Sequence, residues 1–301
     1  MSSTNATVLT QLQSELRTAT GPVRAATVSL GRDGRGSGVV IADGVVLTNA
    51  HVLRNSTISV RFADGRSAQA QVSGIDADGD LAALSVDTTG ATPLAWADAS
   101  SDTGSLVLAG HGNGTVTMGM VSGVGRSFRG PRGRLVSDSI EHTAPLSRGA
   151  SGGPVVNLDG DLVAINTARS DAGYRAVAVS ADLRSRVDRL IAGHSVERPV
   201  LGISVVPTST ARKVRQATGL SECEGVLVQA VAADSAAARA GLAQGDLIVA
   251  AGDTSIADID ALNTALDQAN ASYTTGSSTT IELRVVRGVE ERVVVVRWGT
   301  E

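Results

Sequence analysis

Ser151 stands in the segment of this sequence best suited to nucleophilic catalysis. It lies within Gly149–Pro154, a glycine-rich stretch between a loop and the strand-like run Val155–Asn157. Glycines beside the serine let the backbone turn sharply, so that the N–H groups of Gly149 and Ser151 can point at one oxyanion. A glycine-rich turn with an incidental serine would have the same composition, so the segment needs partners elsewhere in the chain.

Two further residues can act as those partners. His51 follows the aliphatic run Val45–Thr48, which places it at a strand end, and an unperturbed imidazole titrates near neutral pH, as a general base must. Asp80 begins the apolar segment Leu81–Leu84 and can hold the tautomer of that imidazole. Either residue alone is more often structural. The order His, Asp, Ser within one region nevertheless predicts the catalytic triad of a serine protease.

Composition narrows the classes of function. The 301 residues include 34 glycines but only two each of Phe, Tyr and Trp, which indicates many turns and an aliphatic core. The net charge of −4 is mixed along the chain and argues against a nucleic-acid partner. Scattered histidines and the single Cys223 match no metal-ligand spacing, so we expect no metal, no other cofactor and no disulfide. No apolar run reaches the roughly 18 residues of a membrane span.

The pattern of short apolar runs defines the predicted domains. From about Ala26 to Val179 such runs alternate with turns like Asp43-Gly44, which predicts an all-β barrel or sandwich. Ser180 is the predicted N-cap of a following helix. The polar stretch Ala192–Arg198 marks a boundary. We therefore expect a helical lead-in over residues 1–24, a β-domain with the triad over 25–193, and a mixed α+β domain over 194–301. The lead-in is a short amphipathic helix with one apolar face, formed by Val8, Leu9, Leu12 and Leu16.

Three blocks of the sequence resemble the HtrA (Deg) family of serine proteases. They are Gly36–His51, Asp78–Ala82 and Gly149–Thr167, and the likeness extends over about Ala26 to Trp298. The resemblance implies a mostly β fold, a trypsin-like double β-barrel followed by an α+β PDZ domain. It also implies ATP-independent endopeptidase activity, with the triad between the two barrels.

The resemblance also locates a substrate pocket. It places the side chain before the scissile bond near Leu146, Ile165 and Thr167. None of these residues is acidic, and burying an unpaired Lys or Arg among them is costly, so we expect cleavage after small or medium aliphatic residues. The residue Arg148, next to this pocket, is a candidate for favouring acidic neighbours.

The second domain resembles a bacterial-type PDZ domain, which binds peptide C-termini by strand addition. Four consecutive residues match the loop that captures the terminal carboxylate: Val200, Leu201, Gly202 and Ile203. Leu262 and Leu266 lie four apart on a predicted helix and would line the groove. The same leucines would equally complete the core of a small domain.

Two functions compete. The leading hypothesis is a serine endopeptidase acting on unfolded or damaged proteins, a substrate class implied by the resemblance. The rival is a catalytically weak scaffold or chaperone that binds unfolded polypeptides, because Ser147–Ala150 departs from the family's Asn-Pro-Gly-Asn. With no aromatic residue before Phe62, we do not carry over the family's trimer, and a homo-oligomer stays open.

The sequence also leads to expectations about the cellular location and about the three remaining histidines. The polar N-terminus resembles no signal peptide, so the sequence as written predicts a cytoplasmic protein, or a periplasmic or secreted one if a leader was removed. We assign His111, His142 and His194 to loops and the surface.

Overall fold

The computed structural model describes residues 2–99, 101–130, 135–170, 173–195, 200–206, 208–219, 223–270 and 278–298. The chain divides into two compact units, residues 1–196 and 197–301. The first unit is mostly β and the second is α+β, which is the fold class that the sequence predicts. The described residues contain no helix long and apolar enough to cross a membrane.

Six strands close the first barrel, in the order β1-β2-β3-β6-β5-β4. The segments of this barrel are rich in Val, Ile and Leu, which favours strands. Turns such as Asp43-Gly44, where Gly44 has φ +76°, join these strands into hairpins. The strands are β1 (Thr27–Leu30), β2 (Gly36–Ala42), β3 (Val45–Thr48), β4 (Thr57–Arg61), β5 (Ser67–Asp76) and β6 (Leu81–Ser85). A single 3-10 turn, Ala50–Val52, follows β3 and carries His51.

A second six-stranded barrel follows, in the order β10-β11-β12-β9-β8-β7. Its strands are β7 (Leu106–Gly110), β8 (Val116–Arg129), β9 (Leu135–His142), β10 (Pro154–Val156), β11 (Leu162–Ser170) and β12 (Gly173–Ala178). The loop between β9 and β10 carries Ser151. Loops of the two barrels, held by closed sheets on either side, therefore supply the residues of the predicted triad.

Two helices pack on these barrels. Helix α1 (Ser2–Ala26) buries Ala19, Val23 and Ala26, whereas Val8 and Leu9 are 59% and 66% exposed. The predicted apolar face is therefore wrong at its start, because only the C-terminal turns of α1 meet the barrels. Helix α2 (Ala181–Ile191) begins as predicted, with the Ser180 hydroxyl accepting a hydrogen bond from the Leu183 N–H at 3.1 Å.

The second unit has one antiparallel sheet, in which β13-β14-β15-β17-β18 are neighbours and β16 pairs with β15. Its elements are β13 (Ile203–Val205), α3 (Thr208–Ala217), β14 (Val226–Val231), α4 (Ala236–Arg239), β15 (Leu247–Ala251), β16 (Thr254–Ser255), α5 (Ile259–Asn270), β17 (Thr279–Arg287) and β18 (Glu290–Trp298). Leu262 and Leu266 of α5 belong to its buried core, at 1% and 6% exposure. Both leucines therefore contribute to the core of this unit.

Candidate active site

His51 and Asp80 form a close pair at the edge of the first barrel. The residue Asp80 is 1% exposed, and its Oδ2 lies 2.7 Å from His51 Nδ1. Its Oδ1 accepts the backbone N–H of the same histidine at 3.0 Å. Both oxygens are thus committed to one residue. Because Asp80 accepts a hydrogen bond from Nδ1–H, the lone pair of Nε2 is free to accept a proton as a general base.

Asn49 fixes the backbone of Asp80 from the strand end before His51. Its side-chain amide donates to the Asp80 carbonyl at 2.9 Å and to Thr167 Oγ1 at 3.2 Å. Asp80 itself has φ +54°, a left-handed conformation that Asp adopts more readily than most residues. One buried amide therefore ties the acidic residue to β11 of the other barrel, a role that no local sequence pattern indicates.

The loop that carries Ser151 has a backbone conformation that requires glycine at two positions. Gly149 and Gly152 have φ +90° and +86°, and a Cβ on Gly152 would collide with the Ser37 carbonyl. The Ser151 hydroxyl donates to the Thr167 carbonyl at 3.0 Å. Within the described chain, it forms no hydrogen bond with the His51 ring. The N–H groups of Gly149 and Ser151 likewise have no acceptor among the described residues, so both are available to a ligand.

Ser37 and His111 hold two successive carbonyls of this loop. Ser37 Oγ donates to the Gly149 carbonyl at 2.6 Å and accepts the Gly112 N–H at 2.8 Å. His111 Nε2 lies 2.9 Å from the Arg148 carbonyl, while its Nδ1 accepts the Asn113 N–H at 3.0 Å. That acceptor role places the proton on Nε2, which donates to Arg148. His111 is only 6% exposed. The histidine lies in a loop, as expected, but it is buried and not at the surface, and its neighbours in the sequence do not reveal these contacts.

The predicted pocket residues lie in different surroundings. Leu146 belongs to a small buried cluster with Ala109, Ala144, Ala150 and Tyr174, whereas Ile165 is fully buried in the main core. Thr167 adjoins the Ser151 hydroxyl through its carbonyl. The structure thus brings Thr167 to the serine but does not place Leu146 and Ile165 in one cluster.

His142 is a second buried histidine near this cluster, and its expected place in a loop or at the surface is wrong. It ends β9 at 0% exposure, and its Nε2 lies 2.8 Å from Asn166 Oδ1. Burial lowers the pKa of His142 below its ordinary value, against weaker opposing effects of the Asn166 hydrogen bond and the Glu141 charge. The ring is stacked on Tyr174 with the centroids 6.3 Å apart, so the contacts of His142 are those of a structural residue. His194 is exposed.

The second unit has a separate candidate site at the start of its sheet. Val200 is 53% exposed and Leu201 is buried, and Gly202 has φ +79°. The carbonyls of Leu201 and Gly202 accept hydrogen bonds from Ala237 and Ala232, whereas their N–H groups have no acceptor in the described part of the chain. Ile203 begins β13, an edge strand of the sheet. Free N–H groups beside a free strand edge suit a peptide that ends in a carboxylate.

Comparison with known families assigns both units. The family model of the trypsin-like peptidase domain matches residues 36–165, and that of the PDZ domain matches residues 199–297. Each match falls within one of the two compact units.

Individual relatives agree with these matches. The putative serine protease HhoA of Synechocystis is 34% identical, over 85% of this chain and 68% of its own length. Probable periplasmic serine endoproteases DegP-like of Rickettsia prowazekii and Halomonas elongata are 31% and 32% identical. The alignments cover 72% and 88% of this chain but only 45% and 56% of those relatives. The chain thus spans about half to two thirds of the length of these relatives.

A solved structure, the HtrA-type protease AlgW with a decapeptide, is similar at a TM-score of 0.54 and 30% identity. The match covers 89% of this chain and 83% of that one. The periplasmic names of the two DegP-like relatives correct one expectation: the cytoplasmic location is wrong, and the relatives point to the periplasm. The two domain matches, the relatives and the solved structure agree, and this chain belongs to the HtrA family of serine proteases.

Proposed function

We propose that this protein is a serine endopeptidase that hydrolyses unfolded or damaged polypeptides, with Ser151 as the nucleophile. His51 is the general base and Asp80 holds its tautomer, while the N–H groups of Gly149 and Ser151 receive the oxyanion. The observation that carries the proposal is the Asp80 carboxylate, which is buried and bonded twice to His51, at 2.7 and 3.0 Å. In the neutral imidazole, such a pair places the proton on Nδ1 and orients Nε2 for base catalysis.

The reaction then follows from these roles. Rotation of the Ser151 hydroxyl away from Thr167 is a low-barrier side-chain motion that brings its proton to His51 Nε2. Oγ attacks the substrate carbonyl, and the negative oxygen is stabilised by the two N–H groups. The imidazolium then gives its proton to the leaving amine as the C–N bond breaks. Water hydrolyses the acyl-enzyme, with His51 accepting its proton and returning it to Ser151.

We further propose that the PDZ domain binds peptide C-termini and that the protein acts in the periplasm. The N–H groups of Leu201 and Gly202, which have no acceptor among the residues that the structure describes, support the first proposal, and the names of the DegP-like relatives support the second. Val200 and Ile203 would flank the bound carboxylate. A small aliphatic residue before the cleaved bond agrees with the apolar cluster around Leu146.

Substitution of the nucleophile tests the proposal. Ser151→Ala should keep the fold and lower casein hydrolysis by about four to six orders of magnitude, because the members of a triad act as a unit. The matched control is Ser127→Ala, an exposed serine of β8, which should match the unsubstituted protein. A fluorophosphonate probe followed by mass spectrometry should label Ser151.

Two results would favour the rival reading of a polypeptide-binding scaffold. One is comparable casein turnover by the Ser151→Ala variant and the unsubstituted protein. The other is the absence of label on Ser151 together with suppression of aggregation of an unfolded client protein.

A further inference from the structure

A positively charged pocket lies beside the proposed catalytic residues, in the first barrel. It has a volume of about 340 Å³ and is open to solvent. The β1–β2 turn, the segment after His51 and the strand β4 form its walls. Its charged lining residues are Arg32, Asp33, Arg35 and Arg54.

The three guanidinium groups of the pocket have no carboxylate partner in the described part of the chain. Arg32, Arg35 and Arg54 are exposed, and none forms an ion pair with any residue that the structure describes. Asp33 is the single carboxylate in the lining, so positive charge is in excess. Unpaired arginines around a concave surface attract anionic groups, and the guanidinium plane suits a carboxylate.

The pocket adjoins the loop of the proposed nucleophile. Val52, one of its lining residues, follows His51 directly in the chain. Gly34 lies in the turn that supplies Arg32 and Arg35, and its carbonyl is so close that a Cβ on Gly149 would lie 2.5 Å from it. A substrate whose carbonyl meets the Gly149 N–H therefore passes this turn.

The second barrel indicates which side of the scissile bond the pocket would contact. The Ser151 hydroxyl contacts Thr167 of β11, in the second barrel, where the acyl half of the substrate is proposed to bind. The first-barrel turn is left for the half that departs as the amine. We infer that the pocket of Arg32, Arg35 and Arg54 binds a carboxylate within the first two residues after the cleaved bond. The inference rests on the proposed function and gives it a substrate class, peptides that are acidic on the leaving-group side.

Matched peptides test the inference. Quenched-fluorescence peptides with Val before the cleaved bond would carry Glu, Gln or Lys at the next two positions, with amidated ends. We expect kcat/KM about fivefold higher for Glu than for Gln, and lowest for Lys, since exposed charge pairs contribute modestly. At 1 M salt, where the screening length is about 3 Å, the Glu to Gln ratio should approach one.

Variants assign the preference to the pocket. Arg54→Gln, and the double change of Arg32→Gln with Arg35→Gln, should each reduce the Glu to Gln ratio at least twofold. Arg126→Gln, an exposed arginine of β8 in the other barrel, should keep the ratio. A second set of peptides, ending two residues after the bond as free acid or amide, separates a chain-terminal carboxylate from an acidic side chain. Preference for either carboxylate supports the pocket.

Equal cleavage of Glu and Gln peptides, or a ratio unchanged in the arginine variants, would overturn the inference while leaving the protease proposal intact. Failure to cleave any peptide would instead count against the protease proposal. The pocket is then judged by binding, because fluorescence anisotropy with the Ser151→Ala protein measures the Kd ratio of Glu and Gln peptides without turnover. Equal Kd values there would reject the pocket as a carboxylate site.

Discussion

Both ring nitrogens of His111 form hydrogen bonds, and Nε2 contacts the loop that precedes the nucleophile. A trans peptide unit points its C=O and its N–H in opposite directions. A donor on the Arg148 carbonyl therefore also fixes the direction of the Gly149 N–H, which belongs to the same peptide unit. His111 thus acts as a positioning residue for one oxyanion donor.

Two substitutions separate the two nitrogens. His111→Gln keeps a donor at the position of Nε2, whereas His111→Asn keeps only an acceptor for the Asn113 N–H. We expect His111→Asn to lower kcat about tenfold with KM within twofold, a part of the 10²–10³ lost with a whole oxyanion donor. His111→Gln should retain most of kcat.

The readout is steady-state kinetics on one aliphatic peptide, with melting temperatures to compare the folds. Equal kcat for both variants would show that the Arg148 contact does not position the oxyanion donor. A rise in KM alone would assign His111 to substrate binding instead.

The proposed triad can be predicted from the sequence because each member lies in a short block whose local pattern is informative. The residues that support the triad cannot be predicted in this way. The Ser37 contacts with Gly149 and Gly112 span 112 and 75 positions, and the Asn49 contact with Thr167 spans 118. Contacts of this kind depend on how two barrels meet, which no local pattern encodes.

Helix α2 supports the turn that presents Asp80. Arg186 of α2 donates through Nε to Asp76 Oδ2 at 3.0 Å, and Asp76 Oδ1 accepts the Gly79 N–H at 2.9 Å. The Asp76 side chain is 8% exposed. The same guanidinium lies 3.4 Å from Asp182, whose side chain is 70% exposed. One arginine thus serves a buried and an exposed carboxylate.

Burial predicts which of the two pairs stabilises the fold. Arg186→Met should lower the free energy of unfolding by about 2–3 kcal/mol, because it leaves the buried Asp76 carboxylate without its cation. The control Asp182→Asn removes only the exposed pair and should cost about 0.5 kcal/mol or less. Urea unfolding of both variants gives these numbers. Similar losses for both would mean that Arg186 acts through helix packing and not through Asp76.

Secondary structure shows where sequence patterns suffice. Ser180 and Ser235 cap α2 and α4 through their own hydroxyls, a local interaction that the sequence reveals. The sequence does not predict helix α3, because its stretch Thr208–Ala217 is polar and has few apolar positions to show a period. Val8 and Leu9 belong to the predicted apolar face of α1, and their exposure reflects how far α1 extends beyond the barrels.

Every residue of the proposed catalytic machinery belongs to the first of the two compact units. Hydrogen bonds join the segment after α2 to the rest of this unit, one of them to the distant strand β5 and another to α2 itself. The Ser195 hydroxyl accepts the Ile75 N–H at 3.1 Å, and the His194 N–H donates to the Arg189 carbonyl at 2.9 Å. A chain that ends after Val196 keeps both contacts and the complete pair of barrels.

We therefore expect the fragment 1–196 to unfold cooperatively and to react with a fluorophosphonate probe at Ser151 at a rate within about threefold of the full chain, because a small probe needs no peptide groove. Labelling kinetics and circular dichroism measure the two properties. Ser151→Ala in the same fragment controls for labelling elsewhere. A fragment that is folded but unreactive would mean that the PDZ domain helps to form the active site.

The boundary expected at residues 193–194 differs from 196 by only a few positions, yet Ser195 lies between them. A fragment ending at Gly193 should therefore melt at a lower temperature, since the Ile75 N–H loses its acceptor.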